Sequence, residues 1–372
     1  RMVEDDRMML GTFKSLGFSF DIFAKTHSEY HEEKVKYFIL ELYKKGFIYE
    51  KNVEQTYCEK CNEYLADRYI IGKCPICGEE ATGDGCENCN GEFESSELID
   101  IRCKFCDSEP VLKETKHLFF SLSKFENDVK RLYINQDGWR ENAKKILKRY
   151  LDEGLRDRAV TRDFDWGVDV PLEGYEDKKI FVWIEAVMGY LTASMKCLEE
   201  RGEDYKEYWE GEDSRVYFIH GKDNIPFHTV IFPSLLLGTK QNYKLPDKIV
   251  SDEYITIEGE KLSKSKGNYI SIRHLLERYP ADAIRYYFLI NNPDKRDFNF
   301  TWNGFINSIN GELLGKWGNF INRTLIFINK SFDGKIKNTQ VDKDIEEKLK
   351  VLFNEVGINI DNGDVKEGIN KI

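Results

Sequence analysis

Apolar side chains recur along this chain at two different periods, and the changes of period mark out its elements. Over 28–46, Val35, Phe38, Ile39, Leu42 and Tyr43 fall at i, i+3, i+4, i+7 and i+8, which predicts one apolar stripe on a helix. Ser28 can cap its first turn, and Gly46 supplies a left-handed stop. Phe47-Ile48-Tyr49 reads as a short strand leading into a stretch, 58–106, with little apolar content. Helical spacing returns over 116–151, carried by Phe119, Leu122, Phe125, Val129 and Leu132. Two β-branched and aromatic runs, 179–184 and 215–220, then flank helical spacing from about 186 to 201. That strand–helix–strand succession predicts a parallel sheet, continued by a helix over 226–238 and a strand over 248–257. From Phe305 onward the spacing is helical to the last residue.

At 372 residues the chain is long enough for two or three domains, and 41% apolar with 33% charged residues is a soluble, globular balance. Its longest uncharged apolar run, around 230–237, is far too short to span a bilayer. No signal-peptide pattern opens it, so the expected location is the cytoplasm. A net charge of −11 argues against a chain devoted to phosphate backbone, and a nucleic acid would have to meet a local basic patch.

Eight of the nine cysteines stand in Cys-x-x-Cys pairs: Cys58/Cys61, Cys74/Cys77, Cys86/Cys89 and Cys103/Cys106. Four such knuckles make two tetrahedral all-thiolate sites, the closed geometry of structural zinc, with no open position for catalysis. A reducing compartment favours metal thiolates over disulfides, and redox motifs rarely come in fours. The segment also needs a staple, because it has too little apolar surface to hold itself by burial. Spacing alone leaves open whether consecutive pairs or nested pairs share an ion. Cys197, alone at helical spacing, is expected in a core.

Candidate chemistry gathers in four places. Gly259-Glu260-Lys261-Leu262-Ser263-Lys264-Ser265-Lys266-Gly267-Asn268 sets three lysines and two serines in six positions between strand-like flanks, closed by a glycine that lets the backbone turn. Lys ammoniums are mobile point charges suited to following a polyphosphate as charge shifts. Arg158 to Val168 contains Arg162 beside Asp163, where a surface ion pair is the simple alternative. Trp183, Ala186, Val187 and Tyr190 make an aromatic pair around small residues at the carboxyl end of an expected strand, the edge at which open α/β sheets bind ligands. His220-Gly221-Lys222-Asp223 ends the next strand, and His228 follows one turn into a helix.

Lys261-Leu262-Ser263-Lys264-Ser265 resembles the KMSKS signature of class I aminoacyl-tRNA synthetases, with Leu in place of Met. With the other stretches, the chain resembles the methionyl-tRNA synthetases over nearly its whole length. The resemblance implies an α/β fold: the second half of a Rossmann-like nucleotide-binding parallel sheet, a zinc-knuckle insertion, and a C-terminal α-helical anticodon-binding bundle. It implies boundaries at 1–55 (end of the first catalytic half), 56–160 (insertion, knuckles at 58–106), 161–250 (second catalytic half), 251–304 (KMSKS loop and stem contact) and 305–372 (anticodon domain, incomplete).

It also implies roles. Lys261, Lys264 and Arg162 would stabilise phosphate charge during amino-acid activation; Gly221 and Asp223 would meet the adenosine ribose, with Asp169 in a looser match. Trp183, Ala186, Val187, Tyr190 and His228 would surround the methionine side chain, Val187 standing where proline is common. Asn319 and Arg323, at i and i+4 on one helix face, match the pair that reads the CAU anticodon. Two zinc ions would sit in nested sites, 74/77/86/89 and 58/61/103/106, with Mg2+ accompanying ATP. The implied partners are methionine, ATP and tRNA(Met), on a monomer or homodimer with no membrane. One departure is plain: no His-Ile-Gly-His helix start precedes Cys58, and His27 and His31, expected at the surface, do not replace it. The expectation is therefore a chain cut at both ends that does not form the adenylate by itself. The rival expectations are another class Ia synthetase (valine, leucine, isoleucine or cysteine) and a non-catalytic zinc- and tRNA-binding module.

Overall fold

A computed structural model of the chain describes residues 2–372 apart from 84, 87, 88, 90–92, 94, 165, 264–266 and 337–341. The chain divides into two compact units. One comprises Thr26–Phe125 and Leu155–Thr192, the other Arg1–Lys25, Glu126–Gly154 and Ala193–Ile372.

The first unit carries the cysteines. Its helix Glu29–Lys44 starts where a side chain replaces the missing turn: the Ser28 hydroxyl accepts from the His31 backbone N–H at 3.3 Å. It ends where Gly46 takes φ +73°, and it buries Val35, Phe38, Ile39 and Leu42 as the stripe requires. The strand Ile48–Cys58 then pairs antiparallel with Val111–Phe120, in register from Ile48↔Phe120 to Tyr57↔Val111. Short strands Glu63–Tyr64 and Arg158–Ala159 complete this four-stranded sheet. The pairing overturns the helix expected from residue 116. Phe119 and Leu122 do fall at helical spacing, but Thr115, His117, Leu118 and Phe120 are buried against the neighbouring strands, and that long-range pairing overrides local period. The helices of this stretch are Glu126–Ile134 and Glu141–Glu153, both in the other unit.

A second expectation fails nearby. The strand read over 179–184 stops after Ile180, and the helix Val182–Arg201 begins at once, with Ile184 N–H donating to the Phe181 carbonyl at 2.9 Å. Lys179–Ile180 pairs antiparallel with Thr161–Arg162 and joins no parallel sheet. Its β-branched residues suit either conformation; the buried positions Ile184, Val187, Met188 and Leu191 follow helical spacing, and that decides.

In the second unit Tyr217–Gly221 pairs parallel with Lys248–Asp252, the two joined by the helical turns Phe227–Ile231 and Phe232–Gly238. The strand–helix–strand unit therefore lies one element later than the sequence pattern suggests. Phe218, Val230, Phe232, Leu235, Ile249 and Val250 are buried around it. The strand expected over 248–257 is interrupted at Glu253 and Tyr254. Ile255–Ile257 belongs to a different, three-stranded sheet, antiparallel to Glu260–Lys261 and parallel to Phe298–Phe300. An aromatic core of Tyr279, Tyr287, Phe300, Trp302 and Phe305 packs beside that sheet. The chain finishes in helices Asn319–Phe332, Lys343–Asp361 and Val365–Lys371, on which large apolar residues such as Phe320, Leu325 and Phe353 are exposed. Among the described residues no helix is long and apolar enough to cross a membrane.

Candidate functional site

The eight knuckle cysteines converge as two groups, Cys58/Cys61/Cys103/Cys106 and Cys74/Cys77/Cys86/Cys89, whose sulfurs lie within 4.8 Å of one another in each. The pairing is nested. Cross-knuckle Sγ···Sγ distances are 3.4 and 3.8 Å in the outer group and 3.7 and 3.6 Å in the inner one. Four thiolates about 2.3 Å from a tetrahedral ion would stand about 3.8 Å apart, so both groups fit such an ion. The Ser108 hydroxyl lies 3.2 Å from Cys58 Sγ and 2.9 Å from Cys106 Sγ. Its hydrogen bond favours the charged sulfur and is the main reason that both thiols are pushed below their ordinary range.

Arg162 and Trp183 line one open cleft of about 710 Å³ in the first unit, with Phe164, Phe181, Arg68 and Phe93. The Arg162 guanidinium sits 4.3 Å from the centre of the Phe181 ring. Among the described residues no carboxylate lies within ion-pair distance of it. The adjacent Asp163 is taken up elsewhere: it bonds Lys178 and lies 3.0 Å from His117 Nε2. Burial alone would raise the Asp163 carboxyl, but the hydrogen bonds from His117 and Lys178 outweigh it and hold the group below the usual range. The simple Arg162–Asp163 surface pair is therefore not what forms.

Trp183, Ala186, Val187 and Tyr190 follow one another at helical spacing on Val182–Arg201 rather than at a strand end. Val187 is buried, while Trp183 and Tyr190 remain 45% and 42% exposed, available to a ligand face. What lies behind this helix was not legible as function. His31 is buried, not at the surface, with its ring nitrogens 2.8 Å from Glu185 Oε2 and 2.7 Å from Thr192 Oγ1. The signal was present in the pattern, since His31 falls one turn before Val35 on the buried stripe. Gly189 lets the helix lie close: a Cβ there would approach Thr26 Cγ2 to 3.3 Å. His27, as expected, is exposed. Asp169, in the same unit, is ion-paired with Lys179 and Lys36.

In the second unit, Gly221 ends the strand Tyr217–Gly221 and Asp223 lies in the helical turn Lys222–Asn224 that follows it. A Cβ at Gly221 would meet no protein atom within 4 Å, so its backbone is approachable. The Asp223 carboxylate accepts from the Tyr254 hydroxyl. His228 is buried and stacks on His220, ring centres 4.1 Å apart. Each Nδ1 faces a carbonyl, Asn224 at 2.8 Å and Gly221 at 2.9 Å, so each donates from Nδ1 and presents Nε2 as an acceptor. Burial first, and the neighbouring His220 second, push the His228 imidazole down to about 4. It is neutral at physiological pH.

The lysine loop springs from a tight hairpin. Glu258 and Gly259 take φ +49° and +86°, the double left-handed turn that matches strand twist, and Ile257 pairs with Glu260. Asn299 Oδ1 accepts from Gly259 N–H at 2.8 Å, and Asn268 Nδ2 donates to the Lys261 carbonyl at 3.0 Å. Lys261 is exposed; Lys264 lies outside the described residues. Asn319 and Arg323 are both exposed, one turn apart on the helix Asn319–Phe332.

Comparison with known proteins gives consistent results. A methionine–tRNA ligase of Alkaliphilus oremlandii is 46% identical over 361 residues, covering 97% of this chain and 66% of that protein. A methionine–tRNA ligase of Bacillus anthracis is 46% identical over 363 residues, with the same coverage. The chain thus spans 66% of the length of these relatives. Methionyl-tRNA synthetase of Mycobacterium tuberculosis, solved in complex with methionyl-adenylate, shares the fold with a TM-score of 0.74 at 23% identity, over 98% of this chain and 66% of that one. Residues 3–325 match the family described as tRNA synthetases class I (M), and the chain belongs to that family.

Proposed function

We propose that this chain carries out its part in a methionine–tRNA ligase, which activates methionine with ATP to methionyl-adenylate and passes it to tRNA(Met). The observation that carries the reading is 46% identity to methionine–tRNA ligases along 97% of the chain. In the first step a methionine carboxylate oxygen attacks the α-phosphorus of ATP and pyrophosphate leaves. No side-chain nucleophile is needed, because positioning and charge stabilisation carry this kind of transfer. Arg162, Lys261 and Lys264 counter the phosphate charge, and Gly221 and Asp223, with Asp169 in a looser assignment, hold the ribose. Trp183, Ala186, Val187 and Tyr190 contact the methionine side chain, and the neutral His228 suits an uncharged thioether end. In the second step a hydroxyl of the terminal tRNA adenosine attacks the adenylate carbonyl and AMP departs. Asn319 and Arg323 read the anticodon by hydrogen bonding and stacking.

Both thiolate clusters hold zinc in a structural role, which suits a closed all-sulfur set, and Mg2+ accompanies ATP, supplying charge neutralisation at its phosphates. The segments 1–55, 56–160, 161–250, 251–304 and 305–372 correspond to the end of the first catalytic half, the knuckle insertion, the second catalytic half, the lysine-loop region and the anticodon domain. The working location is the cytoplasm.

The test is amino-acid-dependent ATP–pyrophosphate exchange by the polypeptide with its native flanking sequence. Exchange with methionine supports the reading. Exchange with valine, leucine, isoleucine or cysteine instead keeps the family and discards the pocket assignment. No exchange with any amino acid, together with retained tRNA binding, favours a non-catalytic RNA-binding module.

A further inference from the structure

Between the parallel strand pair and the hairpin that carries Lys261, the chain passes through Glu253 and Tyr254, and several side chains close on those two residues. The Lys222 ammonium lies 2.5 Å from Glu253 Oε2 and 3.3 Å from Asp297 Oδ1. It also stands 4.0 Å from the centre of the Tyr254 ring. The Tyr254 hydroxyl donates to Asp223, and its backbone N–H donates to Asp297 Oδ1 at 3.0 Å. Glu253 Oε1 accepts from Asn142 Nδ2 at 3.0 Å. Backbone bonds finish the joint: Glu253 N–H to the Pro293 carbonyl at 2.8 Å, and Phe298 N–H to the Tyr254 carbonyl at 2.9 Å.

A single exposed ion pair would contribute little. Here one cation serves two carboxylates and a ring, and the Lys222 and Glu253 side chains are only 25% and 17% exposed, so the arrangement holds a geometry rather than adding a contact. Two groups benefit. On one side is Asp223, whose carboxylate the Tyr254 phenol orients. Donation to Asp223, with some burial, raises that phenol's ionisation to about 12, so it stays a donor at working pH. On the other side is Lys261, which pairs with Thr256 only two residues beyond Tyr254.

We propose that Lys222 and Tyr254 are positioning residues that tie Asp223 to the hairpin carrying Lys261, so that one joint sets both the ribose end and the triphosphate end of ATP. The inference rests on the assignment of ATP to Asp223 and Lys261 made above. Neither residue touches reacting atoms. Tyr254 acts through Asp223, and Lys222 acts through the Glu253 and Asp297 carboxylates and the Tyr254 ring, Asp297 in turn holding the Tyr254 backbone N–H.

The experiment is exchange kinetics on Tyr254→Phe, Lys222→Met and Lys222→Arg in the polypeptide with its native flanking sequence, alongside thermal melts. Tyr254→Phe keeps the ring and its cation but loses the bond to Asp223. It should raise KM for ATP about 5-fold or more, with kcat and KM for methionine nearly unchanged. Lys222→Met should lower kcat about 10-fold with KM for methionine unchanged, and Lys222→Arg should recover most of that loss. Variants with kcat and both KM values within twofold of the unmodified protein overturn the proposal. So does a uniform loss in all parameters that tracks a fall in melting temperature and is not rescued by Arg. If the unmodified protein exchanges with no amino acid, the ATP assignment itself fails and takes the proposal with it.

Discussion

His31 and Glu185 meet at 2.8 Å inside the first unit, a ring nitrogen against a carboxylate oxygen, with the two residues 2% and 8% exposed. The second ring nitrogen is held by Thr192, so both polar ends of the imidazole are satisfied behind the helix that bears Trp183 and Tyr190. Removing either partner strands the other in a dry site. His31→Ala is expected to cost about 2–4 kcal/mol in denaturant unfolding, and Glu185→Gln less, because it keeps a hydrogen-bonding group in place. A double-mutant cycle should give strong coupling; additive losses would mean that the two residues act independently.

The buried His228 makes stability depend on pH. Unfolded, the ring takes up a proton near 6.5; folded, it resists until about 4. Its contribution is thus fully present above pH 6.5 and is lost as pH falls towards 4, by about 3 kcal/mol at most. His228→Gln should flatten that part of the curve. Because acid also releases metal from thiolates, the comparison is between variant and parent at each pH. Identical slopes would show that another group carries the dependence.

The two thiolate groups should empty separately. Cys74→Ser is expected to remove one equivalent of zinc, leaving the outer site filled, and Cys58→Ser to remove the other, each measured by elemental analysis against protein concentration. Loss of both ions from either variant would mean that the sites fill cooperatively.

Arg162→Lys keeps the charge but loses the planar group that lies over Phe181. Pyrophosphate exchange should fall about 100-fold in kcat with little change in KM for methionine. A loss below threefold would remove Arg162 from the proposed phosphate-stabilising set.

Features encoded locally were legible in the sequence. The start at Ser28, the stop at Gly46, the cysteine spacing and the turn at Gly267 (φ +74°) each depend on a few adjacent residues, and each appears in the structure. Features that depend on distant partners were not. Residues 116–120 carry helical spacing yet form a strand because Ile48–Cys58 lies beside them. Residues 182–184 carry strand-like side chains yet open a helix, since burial follows Ile184, Val187 and Leu191. His31 was misread because its partners, Glu185 and Thr192, stand 154 and 161 residues away. The preference of Asp163 for Lys178 and His117 over its neighbour Arg162 is of the same kind.

Tyr57 pairs with Val111, so the chain leaves the long two-stranded ribbon and returns to it at facing positions. Everything between, knuckles included, starts and finishes at two ends that are already neighbours in space, and its short strand Glu63–Tyr64 pairs back onto the first of them. Such a segment is a cassette: its length can change without moving its two ends, because each doubling of the excursion adds only about 0.6 kcal/mol of closure cost, whereas exchanging it also replaces Arg68 and Phe93 in the cleft beside Arg162. The ribbon can therefore stay constant while the cassette diverges, and grafting one relative's cassette onto another's ribbon is the engineering step this topology permits.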